Sequence, residues 1–211
     1  MSRLFKTPVI SLAYGRAMSD VEFIARAAAP FTEIIHNIKP DQLKARTPCT
    51  EYDVRTLVNH LLFWGPSLEG AGRKEAVVPP AAGESETHLA GDEWASALEA
   101  QISRTAAAWR EAEAWQGMTR IGGPPELPSA LIGGMVLGEF VVHGWDLARA
   151  TGQELSVDEE LLTYLYSETA KQAGPGREMG VYGPEIAVPA SAPTLHRILG
   201  LTGRNPHWTA A

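Results

Sequence analysis

Cysteine is almost absent. Cys49 stands alone in 211 residues, which excludes an intrachain disulfide and a cysteine-based structural zinc site. A single cysteine is more often a small packing residue than a reactive thiol. Clustered basic charge is missing too. The chain has 18 Lys and Arg against 25 Asp and Glu, a net charge of −7, and so lacks the electrostatic footprint of a nucleic-acid binder. No apolar run approaches the ~18 to 20 residues of a membrane span. The opening LFKTPVISLAY has no signal-peptide layout, because Arg16 falls where small cleavage-site residues belong. Residues 1–17 therefore read as an extended or loosely attached leader. The expected location is cytoplasmic, with neither membrane nor nucleic acid as a partner.

What remains is ordinary for a globular domain: 45% hydrophobic and 20% charged residues, enough to bury one core over residues 18–211. Apolar residues recur at helical spacing in residues 20–38 (Phe23, Ile24, Ala27, Phe31, Ile34, Ile35, Ile38), with Pro30 expected to kink or end that helix and His36 near its C-terminal end. Asp53 is placed to cap a second helix carrying Val54, Leu57, Val58, Leu61 and Leu62 and ending near Gly65 and Pro66. Residues 67–91, rich in Gly and Pro, read as a long loop, a feature that in compact domains often carries function. A third helix is expected over 92–115, and a short strand pair over 118–129. A fourth helix follows over 129–151 with Gly152 as its C-cap, then a helix over 157–173 and a short closing helix. The class is all-α with minor strand and loop additions.

The chemistry concentrates in residues 138–152, GEFVVHGWDLARATG. Glu139 and His143 are four apart, so they lie ~40° past one full turn on the same helix face. Leu131, Met135, Glu139, His143 and Leu147 form one i, i+4 row, with two polar residues set among apolar ones. Buried polar groups need partners, and polar residues inside a bundle face are how bundle cores build sites. Gly133, Gly134, Gly138 and Gly144 each cost ~1 kcal/mol against Ala in a helix, which argues for close approach of a neighbour. His60 lies on the inward side of the second helix, between Leu57 and Leu61. Two imidazoles and one carboxylate suit a borderline divalent metal and leave a coordination position free. The competing reading is a buried Glu–His ion pair beside an unrelated core histidine, and spacing alone leaves both open. Around these residues, Asp146 can accept a hydrogen bond from a ligand histidine or pair with Arg55 or Arg149. Trp64 and Trp145 flank the ligands as pocket or core residues, and Arg55 and Asn59 are placed near a rim.

TPCTEYDVRTLVNHL, followed much later by GEFVVHGWDLARATG, resembles the metal-binding branch of the DinB-like four-helix-bundle superfamily. Within it, the chain is most similar to the mycothiol-dependent maleylpyruvate isomerase N-terminal type, and LTGRNPHW resembles the ending of members of that branch. The likeness covers residues 18–208. It implies an up-down-down-up four-helix bundle with a short C-terminal helix, and a metal held by His60, Glu139 and His143, zinc foremost with nickel or iron as alternatives. It also implies a low-molecular-weight thiol such as mycothiol acting on a small electrophile, and a homodimer. The function expected on this resemblance is a metal-dependent thiol transferase or isomerase. The alternatives are a non-enzymatic metal-binding or stress-response module, or a metal-dependent hydrolase. A two-His-one-carboxylate iron oxygenase shares the ligand types but normally uses another fold.

Overall fold

A computed structural model describes residues 9–210, with side chains from Val21 onward. Helix α1 spans Val9–His36, α2 Val54–Arg73, α3 Trp94–Ala108 and α4 Ser129–Ala150. Two further helices follow, α5 over Glu159–Glu178 and α6 over Thr194–Leu201. α1 and α2 sit on opposite corners of the bundle, and each packs against both α3 and α4. This is the all-α, DinB-like arrangement that the resemblance implied. α5 packs on α4, and α6 on α5. The short strand pair is also present, with Met118–Thr119 antiparallel to Leu127–Pro128.

The core is one cluster running through all four bundle helices, and Phe31, Ile24, Ile35, Leu57, Leu98, Ile132, Leu137 and Leu147 are almost fully enclosed in it. The apolar stripes of residues 20–38 and 54–62 supply it as their spacing predicts. Asp53 caps α2 by accepting from the Thr56 amide at 2.8 Å.

Several element boundaries differ from expectation. α1 begins at Val9 rather than near Met18, so much of the expected leader is helical backbone, while residues 1–8 lie outside the described residues. α1 also runs unbroken through Pro30, because Phe31, Ile34 and Ile35 beyond it are buried in the core. Likewise α2 passes Pro66 and reaches Arg73, held by buried Leu68 and Ala71 and by Trp109, whose Nε1 donates to the Leu68 carbonyl at 2.9 Å. Tertiary burial outweighs a single missing backbone bond at each proline. Conversely α3 stops at Ala108, and Ala112–Trp115 forms a separate 3₁₀ turn. The segment between α2 and α3 is therefore shorter than expected, but its single 3₁₀ turn, Glu84–Glu86, reaches the site described below.

Three glycines of α4 answer the expectation of close packing, Gly134 among them, where a Cβ would lie 3.3 Å from Glu168 and Gln172 of α5. A Cβ on Gly133 would sit 2.4 Å from the Trp115 ring, and one on Gly144 3.1 Å from Phe31. Gly138 has open space instead. It directly precedes a single π-helical turn, Glu139–His143, inside α4. α4 is also, by length and composition, apolar enough to cross a membrane, contrary to expectation. Its 72% burial inside the bundle accounts for that character.

Candidate metal centre

The π turn carries Glu139 and His143 on α4, and α2 brings His60 to face them. Such turns insert one extra residue per turn and recur at functional sites, because they re-aim side chains without breaking the helix. Nε2 of His60 lies 3.5 Å from Oε2 of Glu139, and Nε2 of His143 lies 3.6 Å from the same oxygen. One donor atom from each residue falls within a 4.8 Å group. Zn–N and Zn–O bonds of ~2.0–2.2 Å set donor–donor edges of about 3.3–3.5 Å in a tetrahedron, close to the two edges seen. Oε2 of Glu139 is buried without a hydrogen-bond partner. An orphaned carboxylate oxygen is costly, and a cation between it and the two imidazoles would satisfy it.

Both histidines are turned so that Nε2 faces Glu139, and in both the cause is a carboxylate on Nδ1. His143 Nδ1 is 3.0 Å from Oδ2 of Asp146, three residues further along α4 and completely buried. His60 Nδ1 is 3.1 Å from Oε2 of Glu84 and 3.2 Å from the Tyr52 hydroxyl. Glu84 in turn accepts from Nε1 of Trp64 at 2.9 Å. Ligating histidines typically have the other ring nitrogen anchored in this way.

Asp146 is not paired with Arg55 or Arg149. Its Oδ2 accepts from Nη2 of Arg204 at 3.2 Å, and Arg204 is itself 7% exposed. Arg149 donates to the Trp208 carbonyl, and Arg55 to the Ala90 carbonyl at 2.6 Å. Arg55, Tyr52, Asn59 and Glu84 line an open cleft of about 670 Å³. Trp64 supports Glu84, whereas Trp145 is buried in the core and does not line the cleft.

The electrostatics follow from these contacts. Burial opposes charge on His60, but the carboxylates of Glu139 and Glu84 prevail and hold its pKa up to about 9. Burial likewise opposes ionisation of Glu139, yet His143, His60 and Arg204 together draw its carboxyl down to about 2. Burial first, then Glu139, raises the phenol of Tyr182 from the segment after α5. Glu84, Glu139 and Asp146 supply three negative charges and Arg204 one positive, so with neutral imidazoles the cluster lacks two positive charges. A divalent cation matches that deficit.

Of the residues singled out by sequence, the fold brings His60, Glu139, His143 and Asp146 together; Glu84, Tyr52 and Arg204 join the same cluster without having been expected there. Glu84 lies in a segment without periodicity, and nothing local marks it. Tyr52 and Arg204 stand inside the two stretches that carried the resemblance, TPCTEYD and LTGRNPHW, and that was their only signal.

Fold and site together define a class: a four-helix bundle whose core encloses two histidines and a carboxylate with their Nε2 and Oε2 atoms converging. The chain belongs to the mycothiol maleylpyruvate isomerase N-terminal domain family, whose sequence model matches residues 24–148. It is 27% identical over 183 residues to an uncharacterized protein of Mycobacterium tuberculosis, Rv0738, covering 85% of this chain and 94% of that one. The fold is similar to the crystal structure of the mycothiol-dependent maleylpyruvate isomerase, with a TM-score of 0.58 and 16% identity over 76% of this chain and 72% of that one. A mutant of that isomerase matches equally well, with a TM-score of 0.58 at 15% identity.

Proposed function

We propose that the chain binds one divalent metal through His60, Glu139 and His143, and uses it to activate a low-molecular-weight thiol, such as mycothiol, toward a small electrophile. The observation that carries the metal is the buried, unpartnered Oε2 of Glu139 between two Nε2 atoms whose rings are fixed from behind. Zinc is the first choice, since two imidazoles and one carboxylate suit a borderline ion, with nickel and iron behind it. Three protein donors leave a fourth position for an exogenous ligand. When bound, such an ion lowers the pKa of a thiol.

The protein's own groups do the rest. Asp146 and Glu84 keep the imidazoles in the tautomer that leaves Nε2 free. The cleft beside Glu84, Tyr52, Arg55 and Asn59 is mostly apolar in lining and offers a few hydrogen-bonding groups to a small substrate. Thiol chemistry is supported by family membership and by the name of the fold neighbour. The reaction class is addition of a thiol sulfur to an electrophilic carbon. One S–H bond breaks, one S–C bond forms, and the proton passes to the atom that receives the electron pair. A thiol that later leaves again makes the same step an isomerisation. A cytoplasmic setting fits this reading, because small thiols are kept reduced there.

Metal analysis of the purified protein tests the first part, with one equivalent of a divalent ion in the wild type and none in His60→Ala. Incubating the loaded and the chelated protein with mycothiol and maleylpyruvate tests the second. Turnover confined to the loaded protein supports the thiol reading. Stoichiometric metal without any thiol dependence discards it and leaves a hydrolase or a metal-binding module.

A further inference from the structure

The metal-facing atoms of His143 are set by a chain of contacts that ends far away in sequence. His143 Nδ1 meets Oδ2 of Asp146, and the same oxygen accepts from Nη2 of Arg204. Nη2 also donates to Sγ of Cys49 at 3.3 Å, and Nη1 to the Thr202 carbonyl at 2.8 Å. Arg204 is thus a buried cation with a fork spread over three groups, 58 residues beyond its carboxylate partner.

The local sequence explains how an arginine of the tail gets there. α6 ends at Leu201 with Thr202 as its cap, and the next residue, Gly203, has a φ of +81°, the left-handed conformation that glycine adopts without strain. The Arg204 amide then returns to the Leu199 carbonyl at 2.8 Å and the Gly203 amide to the Gly200 carbonyl at 3.1 Å, which closes the helix end. A Cβ on Gly203 would also meet the backbone of Gly183 at 2.8 Å. Glycine is therefore required twice over at this position. The reversal it permits turns the next side chain inward, onto Asp146 and Cys49.

Cys49 Sγ, a ring nitrogen of His143 and an Asp146 oxygen also fall within 4.8 Å of one another. The Arg204 guanidinium fills that group as an internal cation. We infer that Arg204 is a positioning residue for the metal centre: through Asp146 it fixes the His143 imidazole, so that the C-terminal segment sets how tightly the ion is held. This rests on the metal site proposed above. A guanidinium bound to one carboxylate oxygen limits the carboxylate's rotation, and the carboxylate in turn limits the ring.

The test is zinc affinity of the full chain, measured by competition with a chromophoric chelator, beside the melting temperature of the chelated protein. Outer contacts of metal ligands are typically worth 10–100-fold in affinity, and Arg204→Met is expected to weaken zinc binding about tenfold. Arg204→Lys, which keeps the charge but not the fork, is expected to lose less. If Arg204→Met does not fold, Gly203→Ala carries the test, since it shifts the backbone that aims Arg204 while leaving both charges in place. It too is expected to weaken zinc binding. A variant that lowers the melting temperature but binds zinc as tightly as the wild type overturns the proposal and reduces Arg204 to a clip for the tail. A wild type that binds no zinc overturns the metal site itself, and the positioning role with it.

Discussion

His143 and His60 face the same oxygen of Glu139 yet are supported in opposite ways. His143 leans on Asp146, which is on its own helix and fully buried, and Asp146 leans on a buried arginine. His60 leans on Glu84, which arrives on a 3₁₀ turn between α2 and α3, is about a quarter exposed, and faces the open cleft. One support is sealed in the bundle. The other borders solvent and the cleft lined by Tyr52, Arg55 and Asn59. A buried ion pair depends on its geometry and is costly to break, whereas a solvent-facing carboxylate can be replaced by water. The difference separates a fixed half of the cluster, in which Asp146 and Arg204 hold His143, from a more exposed half in which Glu84 holds His60 beside the cleft.

The largest expected effect breaks the sealed side. Asp146→Asn leaves Arg204 without its anion inside the protein and is expected to cost about 3–5 kcal/mol, read as a lower urea midpoint of the metal-free protein. Glu84→Gln, the same change of chemistry on the open side, is expected to cost no more than about 1–2 kcal/mol. Equal losses from the two would erase the distinction.

Metal affinity comes next. Asp146→Asn is expected to weaken zinc binding toward the upper end of the ~10–100-fold range for outer contacts, and Glu84→Gln toward its lower end. Competition with a chelator measures both.

A third expectation concerns pH in the metal-free protein. The carboxylates around His60 hold its pKa up to about 9 against burial, above its ordinary value of 6.5. A raised pKa stabilises the fold fully below about 6.5, and that contribution is lost as the pH climbs through about 9. The chelated protein should therefore melt at progressively lower temperature across this window. Glu84→Gln should reduce the loss, since one of the two carboxylates is then neutral.

The smallest effect is on Cys49. Burial pushes its thiol up to about 11 despite the Arg204 guanidinium beside it. Alkylation by iodoacetamide at pH 7.5 is expected to be far slower than for a free thiol. Labelling of the wild type at the rate of a free thiol would show that burial does not hold the thiol protonated.

These contrasts were only half legible beforehand. The apolar stripes in residues 20–38 and 54–62 and the Glu139–His143 row follow from helical spacing, and so do the core and three of the inward polar groups. The end of the second helix was expected near Pro66, and the first was expected to kink or end at Pro30; both helices continue, because a missing backbone bond is a local signal, whereas buried Phe31, Leu68 and Ala71 decide the outcome from a distance. The π turn at Glu139–His143 has no local marker beyond the odd Gly138 that precedes it.

The sequence by itself determined that this is an all-α chain, that its polar chemistry lies inside an apolar helix row, and that one cysteine can found neither a disulfide nor a zinc cluster. Periodicity and composition suffice for that, because each residue's helical phase is fixed by its neighbours along the chain. Only the tertiary structure decided that Glu84 and Arg204 hold the two histidines from behind. Those contacts span 24 and 58 residues, and no local preference encodes a pairing that exists only once the helices, the 3₁₀ turn and the tail have packed together.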